Sequence, residues 1–116
     1  MFIGLFAFAI MRSFFLNKPR IMTLTFTLRY ATQFGEHICL HLSQNGVTRV
    51  IPMRFVDTQS WRIELDTPMH NPEYHFSIRD DSEQTLREEF HSRTLTSLPI
   101  AHQTALHLID AWDMPN

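Results

Sequence analysis

Alternation of apolar and polar residues runs through most of the chain and predicts β-strands. The clearest example is the stretch TLTFTLRYATQFGEHICLHL at residues 23–42. It holds two segments with a period of two, which is typical of half-buried strands. Their apolar faces consist of Leu24, Phe26, Leu28 and Tyr30 in the first segment and Ile38, Leu40 and Leu42 in the second. Gly35 allows a sharp turn between the strands, and Phe34 is predicted at the tip of that turn.

The same pattern continues toward the C-terminal part of the chain. It predicts further strands at residues 47–51, 61–65, 73–79 and 106–112. Asn45 and Gly46 form the strongest two-residue hairpin signal, and Pro52 marks a strand end or a sheet edge. Residues 86–95 are mixed, and a helical turn is allowed only at 87–90. About seven short strands predict an all-β, immunoglobulin-like antiparallel β-sandwich.

Residues 1–21 differ from the rest, because an apolar run of ten residues is followed by three positive charges. A secretory signal has the opposite order, and a membrane span needs about 20 apolar residues. We expect no stable membrane span. The segment is either a membrane-associating leader or a disordered or separately helical extension, with the true start open among Met1, Met11 and Met22. The β-sandwich is expected at residues 22–113, and residues 114–116 are expected to begin a linker.

Removal of residues 1–21 tests this division of the chain. A chain that begins at Met22 is expected to keep the cooperative melt of the full chain, because the leader contributes no core residues. Thermal denaturation followed by circular dichroism measures this, and a large fall in melting temperature would place the leader in the core.

Composition narrows the function classes. A length of 116 residues suits one domain. A net charge of -2 gives no basic excess, so we expect no nucleic-acid partner. The single cysteine, Cys39, excludes an internal disulfide and is compatible with a reducing compartment. We therefore expect a cytoplasmic protein.

Two groups of residues are candidates for chemistry. His37, Cys39 and His41 share one strand face and form a partial metal site. No further cysteine or histidine pair completes a tetrahedral set, and alternation alone puts polar residues on the solvent face, so we expect no metal or other cofactor. The pairs Glu88–Glu89 and Asp80–Asp81 suggest the two carboxylates of a glycosidase. Adjacent carboxylates on a strand point to opposite faces, however.

The chain also lacks sequence motifs for nucleophilic catalysis and for phosphate binding. It has no Gly-x-Ser-x-Gly sequence, no glycine-rich phosphate loop and only three glycines. The sequence therefore predicts a binding module with no catalytic residues.

The stretch FTLRYATQFGEHI at residues 26–38 resembles the opening of starch-binding domains of carbohydrate-binding module family 20, which reads strand, Ala-Thr-x-Tyr-Gly-Glu, strand. The resemblance continues with IPM at 51–53, Trp61, EYHF at 73–76, REEFHSR at 87–93 and IDAW at 109–112. It extends from Met22 to about Asp113. It implies a β-sandwich that binds α-1,4-glucans at two aromatic sites.

Departures from the family pattern decide which site is expected to function. The family's Leu-Gly-Asn-Trp segment is missing, and Arg87 replaces a second tryptophan, so the first glucan site is dismantled. At the other site Phe34 stands in place of a stacking tyrosine, and Phe55 falls near the second tyrosine. Phe34 and Phe55 are therefore the expected carbohydrate-binding residues. A packing role for Phe34 is the alternative, and Trp61 is expected in the core.

The compressed pattern also resembles the first N-terminal module of bacterial 4-α-glucanotransferases of the disproportionating type. Those enzymes carry two such modules before a (β/α)8 barrel. The resemblance implies a fragment or module of such an enzyme, with an α-1,4-glucan or maltooligosaccharide as ligand and a further module and catalytic barrel as partners. The alternatives are a degenerate spacer without sugar affinity, between domains or in a dimer, and a small enzyme or metal-binding sandwich that uses His37 and His41.

Overall fold

The computed structural model describes residues 21–68, 72–95 and 105–113, and these form nine β-strands and no helix. The strands are β1 (Ile21–Arg29), β2 (His37–Gln44), β3 (Val47–Pro52), β4 (Arg54–Asp57), β5 (Ser60–Pro68), β6 (Glu73–Arg79), β7 (Thr85–Glu88), β8 (Arg93–Thr94) and β9 (Ala105–Ala111). The predicted all-β class is confirmed.

The strands form the two sheets of a sandwich. One sheet has four strands in the order β4-β5-β1-β9, and the other has the order β3-β2-β6-β7 with β8 also paired to β6. The pairs are antiparallel except for β1 and β9, which run parallel with Phe26 opposite Leu108. Within the described ranges, the closing strand is thus the one parallel exception in the predicted antiparallel sandwich.

The core lies between the sheets and consists of the residues that the alternation placed on one face. Fully buried apolar side chains on β1, β2 and β6 include Met22, Leu24, Phe26, Leu28, Ile38, Leu40, Leu42, Phe76 and Ile78. Trp61 and Tyr74 are also buried in this cluster. Burial of an aliphatic or aromatic side chain stabilises the fold by about 1.5–3 kcal/mol, so each of these alternating positions contributes to the stability of the sandwich.

Three turn and edge predictions are confirmed. Asn45 and Gly46 both have positive φ, 50° and 76°, as a type I′ hairpin requires. Gly35 has a φ of 86° between β1 and β2. Pro52 is the last residue of β3, which lies at an edge of its sheet, where a missing N–H costs nothing in the ladder.

Two segments differ from the predictions. β4 was not predicted; it pairs with the start of β5 and has a register shift between Phe55 and Asp57. The allowed helical turn at 87–90 was wrong, because residues 85–88 form β7 and pair with β6. Residues 89–92 then interrupt the edge before β8 pairs with the other end of β6.

At the N-terminal boundary, β1 begins at Ile21, which pairs with Pro68 of β5. Residues 1–20 of the expected leader and residues 114–116 of the expected linker lie outside the described residues. Within the described ranges, no helix is long and apolar enough to span a membrane.

Candidate functional site

The loop between β1 and β2 presents Phe34 to solvent. The loop closes on itself, because the Glu36 N–H donates to the Gln33 carbonyl at 3.0 Å and the Glu36 carboxylate accepts from the Gln33 N–H at 2.7 Å. Gly35 occupies the third position of this four-residue turn with positive φ, which an L side chain rarely adopts. Phe34 precedes it and is fully exposed, at 107% of its reference area.

A second loop faces Phe34 across a shallow concavity. The concavity is lined by Gln33, Phe34, Gly35, Glu36, Asp80, Asp81, Ser82 and Leu86. The Asp80 carboxylate shapes the second loop by accepting from the Ser82 hydroxyl at 2.6 Å and from the N–H groups of Ser82 and Gln84. These hydrogen bonds lower the pKa of Asp80 below its usual value, and the bond from the Ser82 hydroxyl has the largest effect.

One carboxylate of the concavity, that of Asp81, is open to solvent. Asp81 is exposed and has no hydrogen bond or ion pair with any residue of the described ranges, and an oxygen of its carboxylate lies 3.8 Å from where a Cβ of residue 35 would be. Leu86 is also partly exposed. The concavity thus combines an exposed ring, an apolar side chain and a carboxylate able to accept hydrogen bonds.

Phe55 lies elsewhere, on β4 at the edge of the four-stranded sheet. It is 58% exposed and packs edge-on against Trp61, with ring centroids 5.5 Å apart. Phe55 lines a second concavity together with Arg54, Val56, Arg62, Ile63 and Glu64. None of these residues lines the concavity of Phe34. The two predicted binding residues therefore do not share a cavity in the described part of the chain.

Arg87 packs on an aromatic pair. Its guanidinium donates to the Tyr30 hydroxyl and lies 5.5 Å from the centre of the Tyr30 ring. That ring is 5.5 Å from the ring of Trp112. A cation over an aromatic face is attracted by the ring's quadrupole, so this contact helps to hold the Arg87 side chain against Tyr30.

The predicted set His37, Cys39 and His41 is not brought together as a metal site. His37 faces Glu83, with Nε2 3.5 Å from the carboxylate. The expectation that alternation exposes these residues to solvent was wrong for Cys39 and His41, which are buried on the outer face of the five-stranded sheet. Burial raises the pKa of the Cys39 thiol.

His41 instead belongs to a different polar cluster. Its ring stacks on His75 of β6 with centroids 4.4 Å apart, and its Nε2 lies 2.8 Å from the Ser77 hydroxyl and 3.5 Å from the Glu88 carboxylate. Burial lowers the pKa of His41, and the neighbouring His75 lowers it further. His75 was missed, and Glu88 was considered only as part of a glycosidase pair, because the strand register that brings both to His41 cannot be derived from the alternation.

Glu89 was also missed as a structural residue. The two carboxylates of Glu88 and Glu89 do point to opposite faces, and the side chain of Glu89 is wholly buried. Glu89 accepts two hydrogen bonds from Arg93, at 2.7 and 2.8 Å, and one each from the N–H groups of Phe76 and Asp113. These bonds with Glu89 raise the pKa of Arg93. A glycosidase pair is therefore not formed here, because Glu89 holds the fold together.

No protein-family model matches the chain, and no curated protein matches it. Among solved structures it is similar to a glycoside hydrolase family 15 glucoamylase from Hypocrea jecorina, with a TM-score of 0.63, 18% identity and coverage of 83% of this chain and 18% of that chain. It is also similar to a gamma-CGTase from Alkalophilic bacillus clarkii, with a TM-score of 0.63, 15% identity and coverage of 81% and 15%.

A third similar structure is a leucine-rich repeat protein from Bacteroides thetaiotaomicron, with a TM-score of 0.53, 12% identity and coverage of 81% and 12%. At these identities the likeness shows the fold alone. The chain spans less than a fifth of the length of each of these proteins.

Proposed function

We propose that the domain is a non-catalytic carbohydrate-binding module that takes an α-1,4-glucan on Phe34. The observation that carries the proposal is the complete exposure of the Phe34 ring on a turn closed by its own hydrogen bonds. An exposed aromatic ring gains nothing from the core, since its apolar surface stays in water. A sugar ring whose C–H face stacks on it would remove that surface from water.

The surroundings of Phe34 fit a sugar. Hydroxyl groups at the edge of a glucose ring need hydrogen-bond partners, and the Asp81 carboxylate and the Gln33 side chain lie along the concavity. Leu86 extends the apolar floor toward a second glucose unit. A few polar groups beside an apolar platform are the usual construction of a small-molecule site.

The proposed ligand, an α-1,4-glucan, is chosen from similarity of sequence and fold to other proteins as well as from this geometry. The sequence resembles family 20 starch-binding domains, and the fold is similar to part of chains named as a glucoamylase and a gamma-CGTase. We propose that the parent protein is a cytoplasmic 4-α-glucanotransferase, in which the module raises the concentration of glucan near a catalytic barrel. Phe55 is proposed as a separate, weaker contact on β4.

Replacement of Phe34 by alanine tests the proposal. One ring without a tyrosyl hydroxyl should bind maltoheptaose or β-cyclodextrin with a Kd of about 1 mM, or about -4 kcal/mol. Phe34→Ala is expected to abolish binding and leave the melting temperature unchanged, because the ring has no buried contacts. Phe34→Tyr is expected to strengthen binding by adding a hydroxyl. Ligand titration followed by amide chemical shifts measures all three.

Phe90 provides the matched control. It is also a highly exposed phenylalanine, at 81% of its reference area, but it lies in the interruption between β7 and β8 and does not line the concavity of Phe34. Phe90→Ala should bind as the unmodified chain does. An absence of shifts at about tenfold the expected Kd would contradict the proposal and favour the spacer without sugar affinity.

A further inference from the structure

The outer face of the five-stranded sheet carries a cluster that the glucan proposal does not use. His41 of β2 lies opposite His75 of β6, and Ser77 of β6 lies opposite Glu88 of β7. Residues two apart on a strand share a face, so His75 and Ser77 point the same way. Pairing across three strands thus brings two imidazoles and a carboxylate to one place.

The distances within this cluster suit a single metal ion. The Glu88 Oε1 atom lies 3.5 Å from Nε2 of His41 and 3.4 Å from Nε2 of His75, and each of the three residues offers a ligand atom within 4.8 Å of those of the other two. Tetrahedral zinc with bonds of about 2.0–2.1 Å holds its ligand atoms about 3.3 Å apart. Small side-chain rotations would therefore bring all three atoms into coordinating positions.

The chemistry of the three donors selects among metals. Imidazole nitrogen is a preferred ligand of zinc, whereas magnesium and calcium prefer oxygen ligands. Two histidines and one glutamate are a known zinc set that leaves a fourth position open. The Ser77 hydroxyl shares a hydrogen bond of 2.8 Å with Nε2 of His41, and this bond must break for that nitrogen to coordinate zinc.

The surroundings favour a fixed site over a solvated one. His41 is buried and His75 is half-buried, and their rings are stacked with planes 19° apart. Both histidines lie on inner strands of the sheet, which hold their ring positions better than a loop would. The side chain of Glu88, on the edge segment β7, is the most exposed of the three and so the freest to adjust to a metal ion.

We propose that His41, His75 and Glu88 form a zinc-binding site on the outer face of the five-stranded sheet, with the fourth position open to water or an external ligand. The site is independent of the glucan concavity, since it shares no residue with it.

Metal titration of the full chain tests this site. One equivalent of Zn²⁺ is expected to bind in calorimetry and to raise the melting temperature, Co²⁺ is expected to give the visible absorption of tetrahedral coordination, and Mg²⁺ is expected to do neither. His75→Ala and Glu88→Gln should each weaken Zn²⁺ binding by at least about 10- to 100-fold, the loss that even an outer-shell change causes.

His91→Ala is the matched control, because His91 is exposed and pairs with Asp113 away from the cluster. It should bind Zn²⁺ as the unmodified chain does. Circular dichroism establishes that each variant is folded, and Glu88→Gln serves where His75→Ala does not fold. The proposal is overturned if the unmodified chain binds no Zn²⁺ or if Glu88→Gln binds it as tightly as the unmodified chain.

Discussion

Replacement of Glu89 by alanine is expected to destabilise the domain by about 3–5 kcal/mol, the cost of removing one partner of a buried ion pair. The carboxylate is wholly buried and accepts two hydrogen bonds from Arg93 and one each from the N–H groups of Phe76 and Asp113. Without it, two backbone donors and a guanidinium lose their acceptor. Total stability is about 5–15 kcal/mol for a natural domain, so the change removes a large part of it.

Urea denaturation followed by far-ultraviolet circular dichroism measures this loss. Glu89→Gln should also destabilise strongly. Both carboxylate oxygens of Glu89 accept from N–H donors, and in glutamine an NH₂ group would replace one of these acceptors and face a donor. Glu64→Gln is the matched control: Glu64 is exposed on β5, and its change should stay within about 0.5 kcal/mol. An unchanged urea midpoint for Glu89→Ala would show that water replaces the carboxylate at no cost.

Much of the fold could be predicted because burial on one face leaves a direct trace in the sequence. The alternation in β1 places Leu24, Phe26 and Leu28 inward, and the structure buries all three. Asn45 and Gly46 specify their hairpin locally, since few residues tolerate positive φ at both central positions. Such features depend on neighbours in the sequence and need no knowledge of strand pairing.

Features that depend on distant partners could not be predicted. β4 and β7 are short and exposed, and each is a strand because β5 or β6 offers it a hydrogen-bonded edge. The parallel pairing of β9 with β1 is likewise set by topology. Nothing in the local sequence distinguishes Glu89 from an exposed acid. Its burial depends on Arg93 and on two backbone N–H groups from other parts of the fold.

The candidate sites follow the same division. Phe34 could be predicted as an exposed ring, because a turn between two alternating strands gives a large apolar side chain no buried position. The facing loop with Asp81 and Leu86 could not, since it is more than forty residues away in the chain. The expectation that His41 faces solvent assumed that β2 is buried on one face only. Both faces of β2 are buried, so His41 is buried as well.

Replacement of Trp61 by alanine is the other change with a large expected effect, about 3–5 kcal/mol for a buried tryptophan. The ring lies in the core cluster, packs against Phe55 and donates from Nε1 to the Thr32 hydroxyl at 3.2 Å. It thereby ties β5 both to the edge strand β4 and to the loop that carries the candidate glucan platform.

The variant Trp61→Phe separates the two contributions of this side chain. It keeps most of the apolar contact but loses the hydrogen bond to Thr32, which should cost about 0.5–1.5 kcal/mol in addition to the smaller ring's packing loss. Urea denaturation by circular dichroism compares both variants with the unmodified chain, and the glucan titration is repeated on each. A Trp61→Ala chain that melts normally but no longer binds glucan would place the ring on the binding surface, because the loss of a ring buried in the core would lower the melting temperature.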